Sequence, residues 1–278
     1  MSNLSKSTAE GAALDVLPMR TPTLPPATHT NTYLLGRRKV TLVDPATPWD
    51  DERARLEAAL TDRKLQVERV FLTHHHPDHV GAAAWIRERY QVPVVAHART
   101  RELLEGQVVV DELMNEGDVL TTDAGEWVAL HTPGHATGHL CLHDTASDQI
   151  IAGDMVAGVG TIVLVPPEGN LEHYLFHLDR LRAMKPSVLW PAHGDAIRDA
   201  VGLLTEYIDH RNMRTGQVRA ALKQVGTGAP DDLVPIIYPD LHPMIRPIAA
   251  QQVQCHLEWL AERGEVCKVG ESWTPTGA

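Results

Sequence analysis

A dense histidine motif follows an apolar run in the first third of the chain. Residues 67–73 read VERVFLT, which predicts a buried strand, and residues 74–79 read HHHPDH. Three later apolar runs, each a predicted strand, end in TPGH at 132–135, AGD at 152–154 and PAHG at 191–194. Because residues at the carboxyl ends of neighbouring strands converge in space, the fold is expected to bring these four loops to one cleft.

The spacing inside HHHPDH suits the binding of more than one metal ion. His74 and His76 lie two residues apart, so on a strand end their side chains point to one side and that of His75 to the other. The proline that follows turns the chain, so we expect Asp78 and His79 to face the cleft from another direction.

The other three loops supply the remaining potential ligands. His135, Asp154 and His193 complete the shells, and Asp154 is the natural bridge because a carboxylate has two oxygens. Imidazole and carboxylate ligands without cysteine suit Zn²⁺, and also iron or manganese. About three protein ligands for each of two ions, plus a shared carboxylate, leave room for water, as in catalytic sites.

Each loop taken alone also has an ordinary structural explanation. A single histidine at a strand end is more often a partly buried or surface residue, and TPGH, AGD and PAHG taken singly are turns. A short histidine-rich run can also be a surface tract that scavenges metal. The ordered occurrence of all four loops, each after an apolar strand, favours a single metal site.

The motif THHHPDH, followed by TPGHATGH, IAGD and WPAHG, resembles the metallo-β-lactamase superfamily over residues 30–200. The resemblance implies an α+β fold, an αββα sandwich of two mixed sheets with helices outside and a dinuclear site at one edge. It also implies that the ligands divide between two ions: His74, His76 and His135 for the first, Asp78, His79 and His193 for the second, and Asp154 as the bridge. TPGHATGH is similar to the form found in glyoxalase II-like hydrolases, and we expect His139 to be structural rather than a ligand.

The predicted site favours hydrolysis by a metal-activated water. Two divalent ions lower the pKa of a bridging water, so that hydroxide is present near neutral pH to attack a carbonyl carbon or a phosphorus. One ion stabilises the negative charge that develops on the substrate oxygen. Asp78 is predicted to orient the hydroxide besides acting as a ligand, and it is therefore the predicted catalytic residue. The sequence contains no G-x-S-x-G motif for a competing serine nucleophile.

The C-terminal third predicts a separate helical domain. Residues 200–225 have helical spacing, and a short helix, a proline-rich loop, a helix over about 247–263 and a hairpin follow. This order is typical of a winged helix. With the segment HRNMR it resembles the branch of β-lactamase-like hydrolases that includes animal mitochondrial endoribonucleases and fungal polyketide thioesterases. The predicted domains are a disordered N-terminus (1–20), an αββα domain (21–200) and a winged-helix-like domain (201–278).

The net charge of the chain and the positions of its basic residues favour some candidate substrates over others. A net charge of -11 disfavours binding of a long polyanion such as RNA. RNA stays an alternative substrate because the branch that the sequence resembles includes endoribonucleases. The last helix and hairpin carry few basic residues, Arg246, Arg263 and Lys268, so we expect no DNA binding. The leading prediction is hydrolysis of a thioester or related acyl ester of a small molecule. The alternatives are a single-stranded-RNA endoribonuclease, a lactone or lactam hydrolase, and a non-enzymatic metal-dependent scaffold.

The proline-rich loop PIIYPDLHP, residues 235–243, is predicted to lie over the cleft. Tyr238 and His242 are then candidate substrate contacts. The alternative for both residues is a plain connection between two helices.

The cysteines and the apolar runs bear on location. Three widely spaced cysteines without a CxxC pair predict a reducing compartment, and the N-terminus lacks the apolar core of a signal peptide. No run approaches the roughly 20 apolar residues of a membrane span. We therefore expect a cytoplasmic protein with no membrane partner. The resemblance to the β-lactamase-like branch also makes a homodimer an expected form of assembly.

Overall fold

Two mixed β-sheets organise the first part of the computed structural model, which describes residues 13–277. Among these residues the first sheet has six strands, β1 to β6 in spatial order: Leu14–Arg20, His29–Leu35, Lys39–Val43, Gln66–Phe71, Val94–Ala96 and Glu112–Leu113. Strands β1 to β3 pair antiparallel, and β3 to β6 pair parallel. The mixed sheet that the resemblance implies is confirmed.

Three of the four motif loops follow strands of the second sheet and lie at the same end of that sheet. Strands β7 to β11 are Val119–Thr122, Gly125–His131, Leu140–Asp144, Gln149–Gly153 and Val188–Pro191. Strands β8 and β10 are each antiparallel to β9, and β11 is parallel to β10. Strands β8, β10 and β11 therefore run in the same direction, and their carboxyl ends carry TPGH, AGD and PAHG.

The two sheets share an apolar core. Tyr33 and Phe71 of the first sheet cluster with Trp127, Ile151 and Trp190 of the second, and each of these five is at most 5% exposed. Side chains alternate between the faces of a strand, so one set fills the space between the sheets. This packing fixes the strand ends, and with them the loops that follow.

Helices cover the other face of the first sheet. Helices α1 to α4 are Asp50–Asp62, Pro77–Val80, Ala83–Tyr90 and Ala98–Leu103. Leu56 of α1 and Ile86 of α3 are buried in one cluster with Val70 of β4. Helix α1 begins with three acidic residues, which suit the positive end of the helix dipole. Helices α2 and α3 are separated at Gly81.

The chain divides into two compact units, and the second contains the C-terminal helices. Within the described residues the first unit comprises 13–132, 137–162 and 184–201, and the second comprises 133–136, 163–183 and 202–277. Helices α5 to α8 are Leu171–Met184, Ala200–Val225, Pro230–Ile237 and Arg246–Glu262, and the hairpin is β12 (Val266–Val269) with β13 (Ser272–Pro275). The predicted order of helices followed by a hairpin is confirmed.

The second unit has its own apolar core. Leu222 of α6, Val234 of α7, Val253 and Leu257 of α8 and Trp273 of β13 are buried together. Helix α8 places its apolar residues at helical spacing on this core, as the sequence pattern predicts.

Two predictions about the chain's organisation need correction. Residues 14–20, predicted to be disordered, form strand β1 because they complete an antiparallel ladder with β2; residues 1–12 lie outside the described part of the chain. The predicted domain boundary after residue 200 is also too simple. Segments 133–136 and 163–183 group with the C-terminal residues, for example through the hydrogen bond from Gln252 to the Leu164 carbonyl. Within residues 13–277 no helix has the length and apolar character needed to cross a bilayer.

Candidate metal centre

The first two predicted ligands lie beside each other at the end of β4. His74 Nδ1 is 2.9 Å from Thr73 Oγ1, and that hydroxyl donates to Asp44 at 2.6 Å. The hydroxyl therefore accepts from His74 Nδ1–H, which leaves the lone pair on Nε2. His74 Nε2 lies 3.0 Å from His76 Nδ1. Two nitrogens on one tetrahedral zinc ion would be about 3.3 Å apart, so this pair has the spacing of two ligands.

Asp44 is a residue of the candidate site that the sequence analysis missed. Its Oδ1 accepts from the Thr73 backbone at 2.7 Å, and its Oδ2 accepts from the Thr73 hydroxyl and from His79 Nδ1 at 2.8 Å. The residue is 2% exposed and adopts a left-handed φ of 48°, a conformation that aspartate tolerates better than most residues. The available signal was LVD at 42–44, a further apolar strand that ends in a carboxylate.

The three predicted ligands of the second ion and the predicted bridge lie close together. His79 Nε2 lies 3.4 Å from Asp154 Oδ1 and 4.0 Å from Asp78 Oδ1. His193 Nε2 lies 3.6 Å from both Asp78 Oδ2 and Asp154 Oδ1. These separations are those of donor atoms that face one cation rather than those of direct hydrogen bonds.

His193 is held in position by the beginning of β2. Its Nδ1 donates to the His29 carbonyl at 3.0 Å, so Nε2 carries the lone pair. The Asn31 side-chain amide donates to the carbonyls of Pro191 at 2.9 Å and Gly194 at 2.8 Å. Asn31, which the sequence analysis did not identify, thus clamps the loop that carries His193.

Asp154 is positioned by His139, which is not a ligand in this arrangement. His139 Nε2 accepts from the Asp154 backbone at 3.1 Å, and its Nδ1 contacts Thr132 Oγ1 at 2.8 Å. A Cβ on Gly153 would lie 2.5 Å from His139 Nε2, and the φ of Gly153 is +48°. Glycine is therefore required before Asp154, and the structural role expected for His139 agrees with this geometry.

The predicted ligands form three groups in which all donor atoms lie within 4.8 Å of one another: His74, His76 and His135; His74, His79 and Asp154; and Asp78, His79 and His193. His135 donates from Nδ1 to the Val163 carbonyl at 2.8 Å, which leaves the lone pair on Nε2 available to a metal ion. His79, His135 and His193 thus share one arrangement, in which Nδ1–H binds an oxygen and Nε2 is the donor nitrogen. This is the usual arrangement of metal-bound histidines.

The electrostatics of the site favour a cation. Burial by itself would lower the pKa of His79, but Asp154, Asp44 and Asp78 together raise that pKa well above its usual value. His79 Nε2 is buried and has no hydrogen-bond partner among the described residues. A divalent ion would satisfy this nitrogen and the surrounding carboxylates, so the residues present fit the metal that the motifs imply.

The structure gives the remaining candidates local roles. Tyr238 is half-buried against the core of the second unit, with the Arg214 guanidinium 4.5 Å from its ring centroid. His242 is exposed, and its Nδ1 accepts from the Met244 backbone at 3.3 Å, which caps a short 3₁₀ turn. Substrate contact by Tyr238 and His242 stays a prediction. His75 is half-buried and lies outside these three groups, but with His76 and Glu168 it forms a fourth group of possible ligands.

Comparisons with known proteins agree with this architecture. The family model described as Metallo-beta-lactamase superfamily matches residues 25–193, and that described as Beta-lactamase associated winged helix domain matches residues 229–273. The Beta-lactamase-like protein 2 homolog of Drosophila melanogaster is 28% identical over 253 residues, which cover 85% of this chain and 84% of the relative. An atrochrysone carboxyl ACP thioesterase of Paecilomyces divaricatus is 28% identical over 198 residues, which cover 70% of this chain and 60% of the relative.

Solved structures match nearly the whole chain. A beta-lactamase domain protein from Burkholderia ambifaria has a TM-score of 0.84 at 25% identity, with 97% of this chain and 93% of that chain covered. A metallo-beta-lactamase family protein from Thermus thermophilus has a TM-score of 0.82 at 25% identity, with 97% and 100% covered. Both the sandwich and the C-terminal domain therefore have counterparts in known structures.

Proposed function

This chain belongs to the metallo-β-lactamase superfamily of hydrolases, and on that basis we propose that it is a dinuclear hydrolase of a thioester or related acyl ester of a small molecule. The observation that carries the proposal is the set of three adjoining ligand groups, one of which joins the other two through His74, His79 and Asp154.

Two ions explain the ligand set better than one. A single tetrahedral zinc takes four ligands, whereas seven donor residues converge here. In the proposed division His74, His76 and His135 would hold one ion, Asp78, His79 and His193 would hold the other, and Asp154 would be shared between them. The proposed metal is zinc, because nitrogen and carboxylate donors suit it, and metal analysis of the purified protein distinguishes zinc from iron or manganese.

Divalent ions bound at such a site activate water as a nucleophile at neutral pH and polarise the substrate carbonyl. The chain's own residues then decide orientation. The Asp78 side chain is 17% exposed and that of Asp154 is 10% exposed, so Asp78 is the proposed acidic ligand nearer to solvent. We propose that a carboxylate oxygen of Asp78 accepts a hydrogen bond from the attacking nucleophile and aims it at the acyl carbon. Asp44 and Asn31 hold the ligand loops in place.

The choice of an acyl substrate rests on two observations. The relative from Paecilomyces divaricatus is named as a thioesterase, and the net charge of -11 opposes association with RNA. Helix α8 has basic character only at its first residue, Arg246, which supports the proposal that the winged-helix domain does not bind DNA. The proposed partner is therefore a small acyl compound.

A parallel assay tests the proposal. The purified protein is offered an acyl-coenzyme A or acyl-glutathione thioester, a simple lactone and a fluorogenic single-stranded RNA, and metal content is determined on the same sample. We expect thioester turnover that is lost on chelation and restored by zinc. A lactone turned over faster than the thioester, or RNA cleaved while the thioester is inert, would replace the proposed substrate class.

Location and assembly are smaller parts of the proposal. We propose a reducing, cytoplasmic compartment because Cys141, Cys255 and Cys267 are free thiols. Recovery of the protein in a membrane or secreted fraction would contradict this. The homodimer is a proposal that light scattering tests directly.

A further inference from the structure

His135 has its tautomer set by one backbone carbonyl. Its Nδ1 lies 2.8 Å from the Val163 oxygen. A carbonyl oxygen only accepts, so Nδ1 must carry the proton and Nε2 the lone pair. Any movement of the Val163 carbonyl would therefore alter both the orientation and the donor nitrogen of this ring.

The Val163 carbonyl has no regular secondary structure to hold it. Residues 154–170 form turns and irregular chain. The adjacent residue, Leu164, is 1% exposed, and its carbonyl accepts from the Gln252 side-chain amide at 2.6 Å. Helix α8 therefore fixes the peptide group next to the one that binds His135.

The Gln252 amide is itself oriented by α6. Arg211 donates from its guanidinium to Gln252 Oε1 at 3.0 Å, so the amide nitrogen of Gln252 faces Leu164. Arg211 is 5% exposed, and its guanidinium lies 5.3 Å from the ring centroid of Tyr174 on α5. A buried guanidinium is costly unless its environment is arranged for it, so this placement is specific.

The other side of His135 rests on the same support. A Cβ on Gly134 would lie 2.5 Å from the Tyr174 backbone nitrogen, and the φ of Gly134 is +141°. The Gly134 carbonyl accepts from the Asn170 backbone at 2.8 Å. The residue before His135 thus packs on the beginning of α5, whose Tyr174 lies against Arg211.

We propose that Gln252 and Arg211 are positioning residues, which hold His135 through Leu164 and Val163 in the tautomer and orientation that bind metal. The inference rests on the proposed function, in which His135 is a ligand. It gives the C-terminal unit a task that its winged-helix likeness does not indicate: support of one metal ligand. Loss of an outer-shell partner weakens metal binding by about 10- to 100-fold, and one further peptide of separation places the effect of Gln252 near the lower end.

The test is the metal affinity of Gln252→Glu in the full chain. Glutamate keeps the length of the side chain and still accepts from Arg211, but it has no donor for the Leu164 carbonyl. Gln251→Glu, an exposed neighbour on the same helix, is the control for added charge. His135→Ala is the reference for loss of the ligand. Zinc affinities are measured for each folded protein by competition with a chromophoric chelator.

We expect Gln252→Glu to bind one of the two ions about tenfold more weakly, the same ion that His135→Ala weakens, with Gln251→Glu unchanged. A role confined to folding would lower the stability of the metal-free protein and leave both affinities intact. If His135→Ala weakens one ion and Gln252→Glu does not, this inference is wrong and the proposed function stands. If His135→Ala binds both ions normally, the proposed ligand set is wrong, and the positioning role of Gln252 and Arg211 is wrong as well. Gln252→Asn, neutral but too short to reach Leu164, carries the test if the glutamate variant does not fold.

Discussion

Replacing Asp44 with asparagine tests whether a buried carboxylate outside the ligand set controls metal binding. Asp44 Oδ1 accepts one hydrogen bond, from the Thr73 backbone at 2.7 Å. Oδ2 accepts two, from the Thr73 hydroxyl at 2.6 Å and from His79 Nδ1 at 2.8 Å. An asparagine keeps the first acceptor but places an NH₂ group where the two other donors converge. His79 must then accept at Nδ1 and carry its proton on Nε2, the nitrogen that faces the metal.

The expected loss follows from this change of tautomer. Removal of a carboxylate partner from a ligating histidine lowers metal affinity by about 10- to 100-fold, which is about 1.4–2.7 kcal/mol. The loss of a hydrogen bond to a charged acceptor costs the fold roughly a further 1.5–3 kcal/mol. Chelator competition measures the affinity, and urea unfolding of the metal-free protein measures the stability.

Asp123→Asn is the matched control for Asp44→Asn. Asp123 also accepts three hydrogen bonds, from the backbone of Arg37, Arg38 and Lys39 at 2.6, 2.8 and 3.1 Å, but it is exposed. We expect its substitution to leave metal affinity unchanged. Equal affinities for the Asp44→Asn and Asp123→Asn proteins would refute the role assigned to Asp44.

Three further predictions follow from the site. His76→Ala should remove metal and activity together while His75→Ala does little, which metal analysis and turnover of both variants check; the reverse pattern would show the ligand assignment to be wrong. Gly153→Ala should weaken metal binding, because its Cβ would lie 2.5 Å from His139 Nε2, and an affinity equal to wild type would contradict the close packing. Because the pKa of His79 is higher in the folded than in the unfolded chain, protonation of His79 stabilises the metal-free fold. This contribution is complete below the unfolded-state pKa near 6.5 and is lost as pH rises through the folded-state pKa. Urea unfolding of the metal-free protein should therefore show falling stability above pH 6.5 while zinc affinity rises, because the proton on His79 must leave before metal binds.

Local spacing made the residues of the candidate metal site predictable. His74 and His76 share a side because side chains alternate along a strand, and the expected turn after them begins α2 at Pro77. The four apolar runs became β4, β8, β10 and β11, of which β10 and β11 are buried along their whole length. The sandwich itself came from the order of the motifs, through the family resemblance.

The supporting residues were not predictable, because their partners are distant in sequence. Asn31 forms hydrogen bonds with the loop after β11, about 160 residues away. Asp44 forms hydrogen bonds with Thr73, which lies 29 positions later, and with His79, which lies 35 positions later. No local pattern records such a pairing. Strands β6 and β7 were missed for another reason: β6 has only two residues, both exposed, and β7 is short and largely exposed. Such strands give a weak alternation signal.

The most direct test of the central claim is a zinc titration of the metal-free protein with thioester hydrolysis followed at each step. We expect no turnover without metal, a rise that reaches its maximum at two zinc ions per chain, and loss of activity in Asp154→Ala, which removes the proposed bridge. Full turnover by the metal-free protein, or a maximum at one ion that a second ion does not change, would contradict a dinuclear hydrolase.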